Sequence, residues 1–240
     1  MTNALKSKEV IEMAVQVIKA REIKTRPVRV LIYGEPGAGK TTLLATALRP
    51  LLVIDFEGGS DIRLAGQDQI DIVLVHSRKE LEEVLKWLKT QNTYKTIAFD
   101  GFSIYVQQAL REILEERSKP SPTFYEWGLL SSHMRDVILA LLKPTANTVF
   151  TALIKEEERQ ENGQTIRYKR PDLPKAIRNQ LRAITDIEGV LYAKDGQRFL
   201  GFTAPKGGAE VKDRSGRLSH QEEPDLAKVF SKIFIREVSQ

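Results

Sequence analysis

The stretch "GEPGAGKTT", residues 34–42, constrains this chain more than any other. It has the spacing G-x-x-x-x-G-K-[ST] of a phosphate-binding loop. The flanks agree. An apolar run (VRVLIY, 28–33) precedes the loop, and a helical pattern over 40–48 follows it. Gly34, Gly37 and Gly39 let the backbone curl, with Glu35, Pro36 and Ala38 between them, so that successive N–H groups point inward. The helix behind adds the positive end of its dipole. Lys40 is placed to reach the β- and γ-phosphates of a nucleotide, and Thr41 to ligate Mg2+, with Thr42 beside it. A glycine-rich turn with a chance lysine is the competing reading, and both flanks argue against it.

Short apolar runs rich in β-branched residues recur at 51–56, 70–75, 95–100 and 147–154. Helical patterns at 78–90, 102–117 and 126–143 alternate with them. That order predicts an α/β fold, a mainly parallel central sheet with helices on both faces. The rhythm changes after residue 155. "KEEERQENGQTIRYKRPDLPK" is polar, with a turn signal at Asn162-Gly163, and a helix follows over about 174–184. "DIEGVLYAKDGQRFLGFTA" reads as a C-terminal β-hairpin extension around Asp195-Gly196. "PKGGAEVKDRSGRLS" reads as a mobile basic loop, and a last helix is expected over 225–234. Ala4, Ile11, Ala14, Val15 and Ile18 give residues 1–26 the spacing of an amphipathic helix. With no linker in view, one domain is expected over 1–240: that helix, a core over 27–185, and the hairpin, loop and terminal helix over 186–240.

Composition removes several classes. At 41% hydrophobic and 29% charged, the 240 residues are those of a globular chain. No apolar run approaches the roughly 18 residues of a membrane span, so no membrane partner is expected. The first residues lack the uncharged core of a signal peptide. There are no cysteines and only three histidines (His76, His133, His220), which excludes disulfides and disfavours a histidine-built metal centre. A cytoplasmic location is expected. The net charge of +5 leans toward a polyanionic partner, or describes an ordinary basic surface.

Two further carboxylate positions stand at strand ends. "TIAFDG" ends an apolar run in Asp100, as a strand that completes a Mg2+ site does; a helix N-cap is the alternative. "LLVIDFEGG" ends another run in Asp55 and Glu57. In a parallel sheet these ends share an edge with the phosphate loop. If the strand stays extended, Asp55 and Glu57 face the same way. Glu57, farther out, is the candidate base for an attacking water, and a solvated strand end is the alternative.

At these residues the chain resembles the RecA-like P-loop ATPase core. In that family a D-x-E element on the strand after the phosphate-loop helix carries the catalytic glutamate, which Asp55-Phe56-Glu57 matches. Asp61 matches an aspartate near the adenine. The short size is similar to phage-encoded RecA-core ATPases of single-strand annealing and homologous recombination, often labelled AAA-type; the location would then be the host cytoplasm. The resemblance spans about residues 28 to 218. It implies ATP and Mg2+ as ligands, single-stranded DNA as a partner, and self-association into a ring or filament, with a single-stranded-DNA-binding protein as a further partner. The chain departs from the family's pattern at Gly101, where RecA commonly has serine. RecA's large N-terminal oligomerisation domain and its separate C-terminal DNA-binding domain are not expected within these 240 residues.

The family binds DNA through loops after the fourth and fifth core strands, here about 117–125 and 155–174. The first offers Arg117 and Lys119 with Phe124, Tyr125 and Trp127, although Trp127 reads better as a helix anchor. The second region and the helix after it offer Arg167, Lys169, Arg170, Lys175, Arg178 and Arg182 against Asp172, with the acidic run Glu156-Glu157-Glu158 just upstream. Basic residues pair with phosphates and aromatics stack on bases; a solvated charged face is the alternative. Thr151 is a candidate γ-phosphate sensor or a plain strand-end threonine. The family also inserts basic residues into a neighbour's site, for which Lys206, Lys212 and Arg214 are candidates, the last two first. The function expected is a RecA-like ATPase that binds single-stranded DNA and promotes recombination or annealing. Its rivals are a P-loop DNA motor (helicase or helicase loader), a small-molecule kinase, and a DNA-binding protein that holds ATP only as a structural ligand.

Overall fold

The computed structural model describes residues 19, 23, 25–143, 145–161, 163–194, 196–202 and 208–233. The helix expected over 1–26 falls almost wholly outside the described residues, as does Lys206. From the first strand the chain runs β1 (Arg29–Gly34), α1 (Lys40–Leu44), β2 (Leu51–Asp55), α2 (Ser60–Leu64), β3 (Ile70–Leu74) and α3 (Arg78–Leu88). It continues through β4 (Thr96–Asp100), α4 (Phe102–Glu116), α5 (Phe124–Leu141), β5 (Asn147–Glu161), β6 (Gln164–Pro171) and α6 (Lys175–Ile184). The rest is β7 (Ile187–Lys194), β8 (Gln197–Gly201), β9 (Lys212–Asp213), β10 (Gln221–Glu222) and α7 (Leu226–Ile233).

One sheet runs through these elements in the order β10-β8-β7-β1-β5-β4-β2-β3. From β7 to β3 every neighbouring pair is parallel. The hairpin strand β8 and the short β10 extend it antiparallel. Alternation along β1 divides the core. Leu31 and Tyr33 face a cluster with Phe99, Tyr105 and Met134, under α3 to α6. Val30 and Ile32 face a second cluster with Leu43, Val229 and Phe230, under α1 and α7. Both faces are therefore covered, as a parallel sheet of continuous apolar strands requires. Each fully buried large side chain contributes about 1.5–3 kcal/mol. This is an α/β P-loop NTPase fold.

The differences from expectation concern lengths and edges. β5 continues past residue 154 to Glu161 and pairs antiparallel with β6, from Ile154 opposite Pro171 to Glu161 opposite Gln164. The polar segment after residue 155 is thus a long hairpin rather than a loop. Gly163, at φ 78°, makes its turn. α5 starts at Phe124, two residues early, because Thr123 and Glu126 form a capping box. α2 is short and was not expected. Lys212 and Asp213 are not in a mobile loop: as β9 they pair with Glu188 and Ile187 at the start of β7.

Candidate nucleotide site and its surroundings

The phosphate loop leaves β1 at Gly34. A Cβ there would lie 2.5 Å from the carbonyl oxygen of Leu191, so only glycine lets β1 and β7 approach this closely. Gly39 takes φ 99° and opens α1. Lys40 is 5% exposed. Its Nζ donates to the carbonyls of Gly34 and Glu35 at 3.2 and 3.1 Å, which holds it across the mouth of the loop.

β4 ends beside this loop. Asp100 Oδ2 accepts from Thr41 Oγ1 at 2.7 Å and from Ser60 Oγ at 3.3 Å. Its Oδ1 accepts from Thr151 Oγ1 at 2.5 Å. Burial pushes this carboxyl above its ordinary range, and the hydroxyl bonds of Thr151 and Thr41 oppose that push. Thr151 also accepts the Gly101 N–H at 2.9 Å, so it ties β5 to the end of β4. An N-cap role for Asp100 does not hold, because Gly101 precedes α4 without a side-chain cap.

The paired carboxylates on β2 have separate tasks. The strand stops at Asp55, so alternation does not carry through to Glu57. Asp55 is buried; it accepts the N–H groups of Glu57, Gly58 and Ser60 at 2.9, 3.0 and 3.0 Å. It folds the chain sharply at the strand end. Gly58 and Gly59 complete the turn at φ 71° and 115°. The turn carries Glu57 into a cavity of about 340 Å³, lined also by Gly37, Gly39, Lys40, Thr41 and Thr42. Partial burial raises the Glu57 pKa; nearby Asp100 raises it further, and Lys40 lowers it. Asp61 and Thr151 are not among the lining residues; Asp61 accepts the N–H of Ile62 at the exposed start of α2.

Two arginines that sequence reasoning passed over complete the cavity. Arg63, on α2, donates from Nε to Thr42 Oγ1 at 2.6 Å. Arg198, on β8, lies against Gly39. Neither belongs to a local motif. Only the pairing of β7 with β1 and the unexpected α2 bring them here.

The proposed DNA contacts divide. Arg170 and Arg178 are buried, Arg170 against Glu157 and Arg178 3.4 Å from Glu210. Their expected place on an exposed phosphate track is corrected: as folded, both are internal ion pairs. Arg167 faces Glu158 across the hairpin at 3.3 Å, and Lys169 faces Glu156 at 3.3 Å. The acidic run upstream is the cross-strand counterpart of the basic run, which a linear reading places 9 to 13 residues away. Arg182 reaches Glu188 and Glu210. Lys119 and Lys175 are exposed. Arg117 bonds Glu126 at 2.9 Å and lies over the Tyr125 ring. Phe124 is 96% exposed and Tyr125 57%, while Trp127, read as an anchor, is still 40% exposed.

Lys212 Nζ donates to the carbonyls of Arg182 and Thr185 at 2.5 and 2.6 Å, and Arg214 pairs with Asp186 at 3.1 Å. They sit at the start of β7, opposite Val30 on β1, whereas the phosphate loop leaves β1 at its other end. Within one chain they are remote from the cavity.

A family model described as an AAA domain matches residues 26–215. The chain belongs to this AAA-domain family. Among solved structures, this AAA domain is similar to a prototypical ATPase from the type III secretion system of pathogenic bacteria, at 16% identity and a TM-score of 0.45. The likeness covers 69% of this chain and 51% of the other, so the chain spans about half the length of that ATPase. No curated protein matches. The AAA domain has a P-loop NTPase fold. No helix among the described residues is long and apolar enough to cross a membrane.

Proposed function

We propose that this AAA domain hydrolyses Mg-ATP in a cycle coupled to single-stranded DNA, and that it promotes strand annealing or recombination. The observation that carries the proposal is the convergence of Glu57, Lys40 and Thr41 on one cavity, with the buried Asp100 bonded to Thr41 behind it. A second supports the coupling: Thr151 bonds Asp100 from β5, and the same strand continues into the exposed β5–β6 hairpin.

In this reading, a water attacks the γ-phosphate in line as the bond from the γ-phosphorus to the β–γ bridging oxygen breaks and ADP leaves. Glu57 takes its proton, a role worth roughly 10²–10⁴-fold. Lys40 neutralises charge on the β- and γ-phosphate oxygens. The Thr41 hydroxyl and Asp100 carboxylate, 2.7 Å apart, suit Mg2+, which takes one or two protein oxygens beside phosphate and water. Bound there, the metal supplies positive charge to the polyphosphate. Phe124 and Tyr125 offer exposed rings for base stacking, with the exposed Lys119 and Lys175 as candidates for phosphate. Self-association into a ring or filament, with Lys212 and Arg214 facing a neighbour, is part of the same proposal.

The test is ATP hydrolysis with and without single-stranded DNA, in the wild type and in Glu57→Gln. Stimulation by DNA that vanishes in the variant supports coupled sites. Hydrolysis indifferent to DNA rejects the coupling and favours a phosphotransfer or ligand role for ATP.

A further inference from the structure

We infer that Arg198 is a ligand of the nucleotide's polyphosphate, delivered by the chain's own β7–β8 hairpin. The inference rests on the nucleotide reading above.

The register gives the first argument. Gly34, the last residue of β1, pairs with Leu191 on β7. β7 continues to Lys194, and Arg198 returns opposite Ala193. Two residues of extended chain are about 7 Å. The hairpin therefore overhangs the end of β1 from which the phosphate loop springs.

Contact gives the second. A Cβ on Gly39 would lie 3.1 Å from Nε of Arg198, 3.4 Å from Cδ and 3.5 Å from Cζ. The guanidinium thus rests on the glycine just before Lys40. It lines the same cavity as Lys40, Thr41 and Glu57, with Arg63 also in the wall.

Charge gives the third. Arg26, Arg78, Arg117, Arg182 and Arg214 each face a carboxylate. Among the described residues the Arg198 side chain makes no ion pair and no hydrogen bond. A guanidinium left without a counter-charge beside a curl of N–H groups suits an anion of several oxygens. Its planar fork matches phosphate, where a lysine offers only a point charge. Because the same chain supplies it, this cation is present without a neighbouring subunit, unlike one carried by Lys212 or Arg214.

The experiment measures equilibrium binding of Mg-ATP, Mg-ADP and Mg-GTP, together with steady-state hydrolysis, for the full chain. It compares the wild type with Arg198→Ala, Arg198→Lys and Lys40→Ala. Loss of a charge-assisted contact predicts that Arg198→Ala weakens ATP and ADP binding by roughly tenfold to a hundredfold. GTP should weaken by the same factor as ATP, because a polyphosphate contact ignores the base. Arg198→Lys should recover part of the loss. Matching thermal melts exclude misfolding, which the exposed position disfavours. If Lys40→Ala abolishes binding while Arg198→Ala binds and turns over as wild type, the inference is overturned and the nucleotide reading stands. A loss shared by ATP and ADP but absent for GTP would assign Arg198 to the base and also overturn it. If the wild type binds no nucleotide, both fall.

Discussion

Gly101 lies directly against Glu57: a Cβ built on Gly101 would fall 2.6 Å from Cγ of Glu57 and 3.2 Å from its backbone nitrogen. Gly101 also sits at φ 85°, where L side chains are strained. The position where RecA commonly has serine is therefore matched to the carboxylate beside it. Gly101→Ser is expected to displace Glu57 and slow hydrolysis by roughly 10²-fold, the usual effect of a misplaced catalytic group. Nucleotide affinity, set by the phosphate loop, should change far less. Hydrolysis rates read beside a nucleotide titration check this; equal losses in both would mean the loop itself has moved.

The environment of Glu57 predicts a pH dependence. Its pKa is raised above the ordinary 4.5 by burial and by Asp100, with Lys40 in opposition. A base must be ionised to accept a proton. The rate should fall as pH drops through the raised pKa and level off above it. Glu57→Gln should lose roughly 10²–10⁴-fold in rate and lose the acid limb with it. A pH–rate profile that keeps the same limb in the variant would assign the limb to another group.

Stability should depend on Glu188. This residue is fully buried on β7, and among the described residues its two carboxylate oxygens accept no hydrogen bond; Arg182 Nε is 3.5 Å away. Burial raises its pKa from 4.5 to about 7. Between those values the folded chain holds a proton that the unfolded chain has released. Its contribution to stability therefore falls as pH rises from about 4.5 to about 7 and is flat on either side, at about 1.4 kcal/mol per pH unit. Denaturant unfolding at pH 5 and pH 8 should show this difference in the wild type and lack it in Glu188→Gln. Identical pH profiles would mean that Arg182 keeps the carboxylate ionised throughout.

Stacking and phosphate pairing are separable at the proposed DNA surface. Phe124→Ala and Tyr125→Ala should each weaken single-stranded DNA binding by about 1–3 kcal/mol with little change in salt dependence. Lys119→Ala and Lys175→Ala should each lower the slope of log K against log salt by about 0.7. Titrations at several salt concentrations distinguish the two effects. Unchanged affinity in all four variants would remove this face from the DNA path.

Local patterns carried most of the fold. The phosphate loop, the five core strands and the β7–β8 hairpin depend on spacing within a few residues, and those were legible. Glu57 and Asp100 were legible as strand-end carboxylates, but the task of Asp55 was not: strand alternation predicts one direction for both acids, and the turn that Asp55 closes breaks it. Arg170 and Arg178 read as a basic surface because their acids lie elsewhere in sequence, Glu157 across a hairpin and Glu210 beyond α6 and β8. Arg198 was invisible for the same reason. Its neighbour Gly39 is reached only through the parallel pairing of β7 with β1.

β5 is a lever. Thr151, bonded to Asp100 at the end of β4, lies two residues before Leu153, the last β5 residue paired with β1, and beyond that fulcrum the arm runs eight residues to Glu161. At the rise of an extended strand that arm is about 27 Å long. A tilt of about seven degrees at Leu153 would sweep the hairpin tip through about 3 Å, close to the spacing of one extended residue. A change too small to disturb the sheet's register could therefore shift whatever the tip touches by one step.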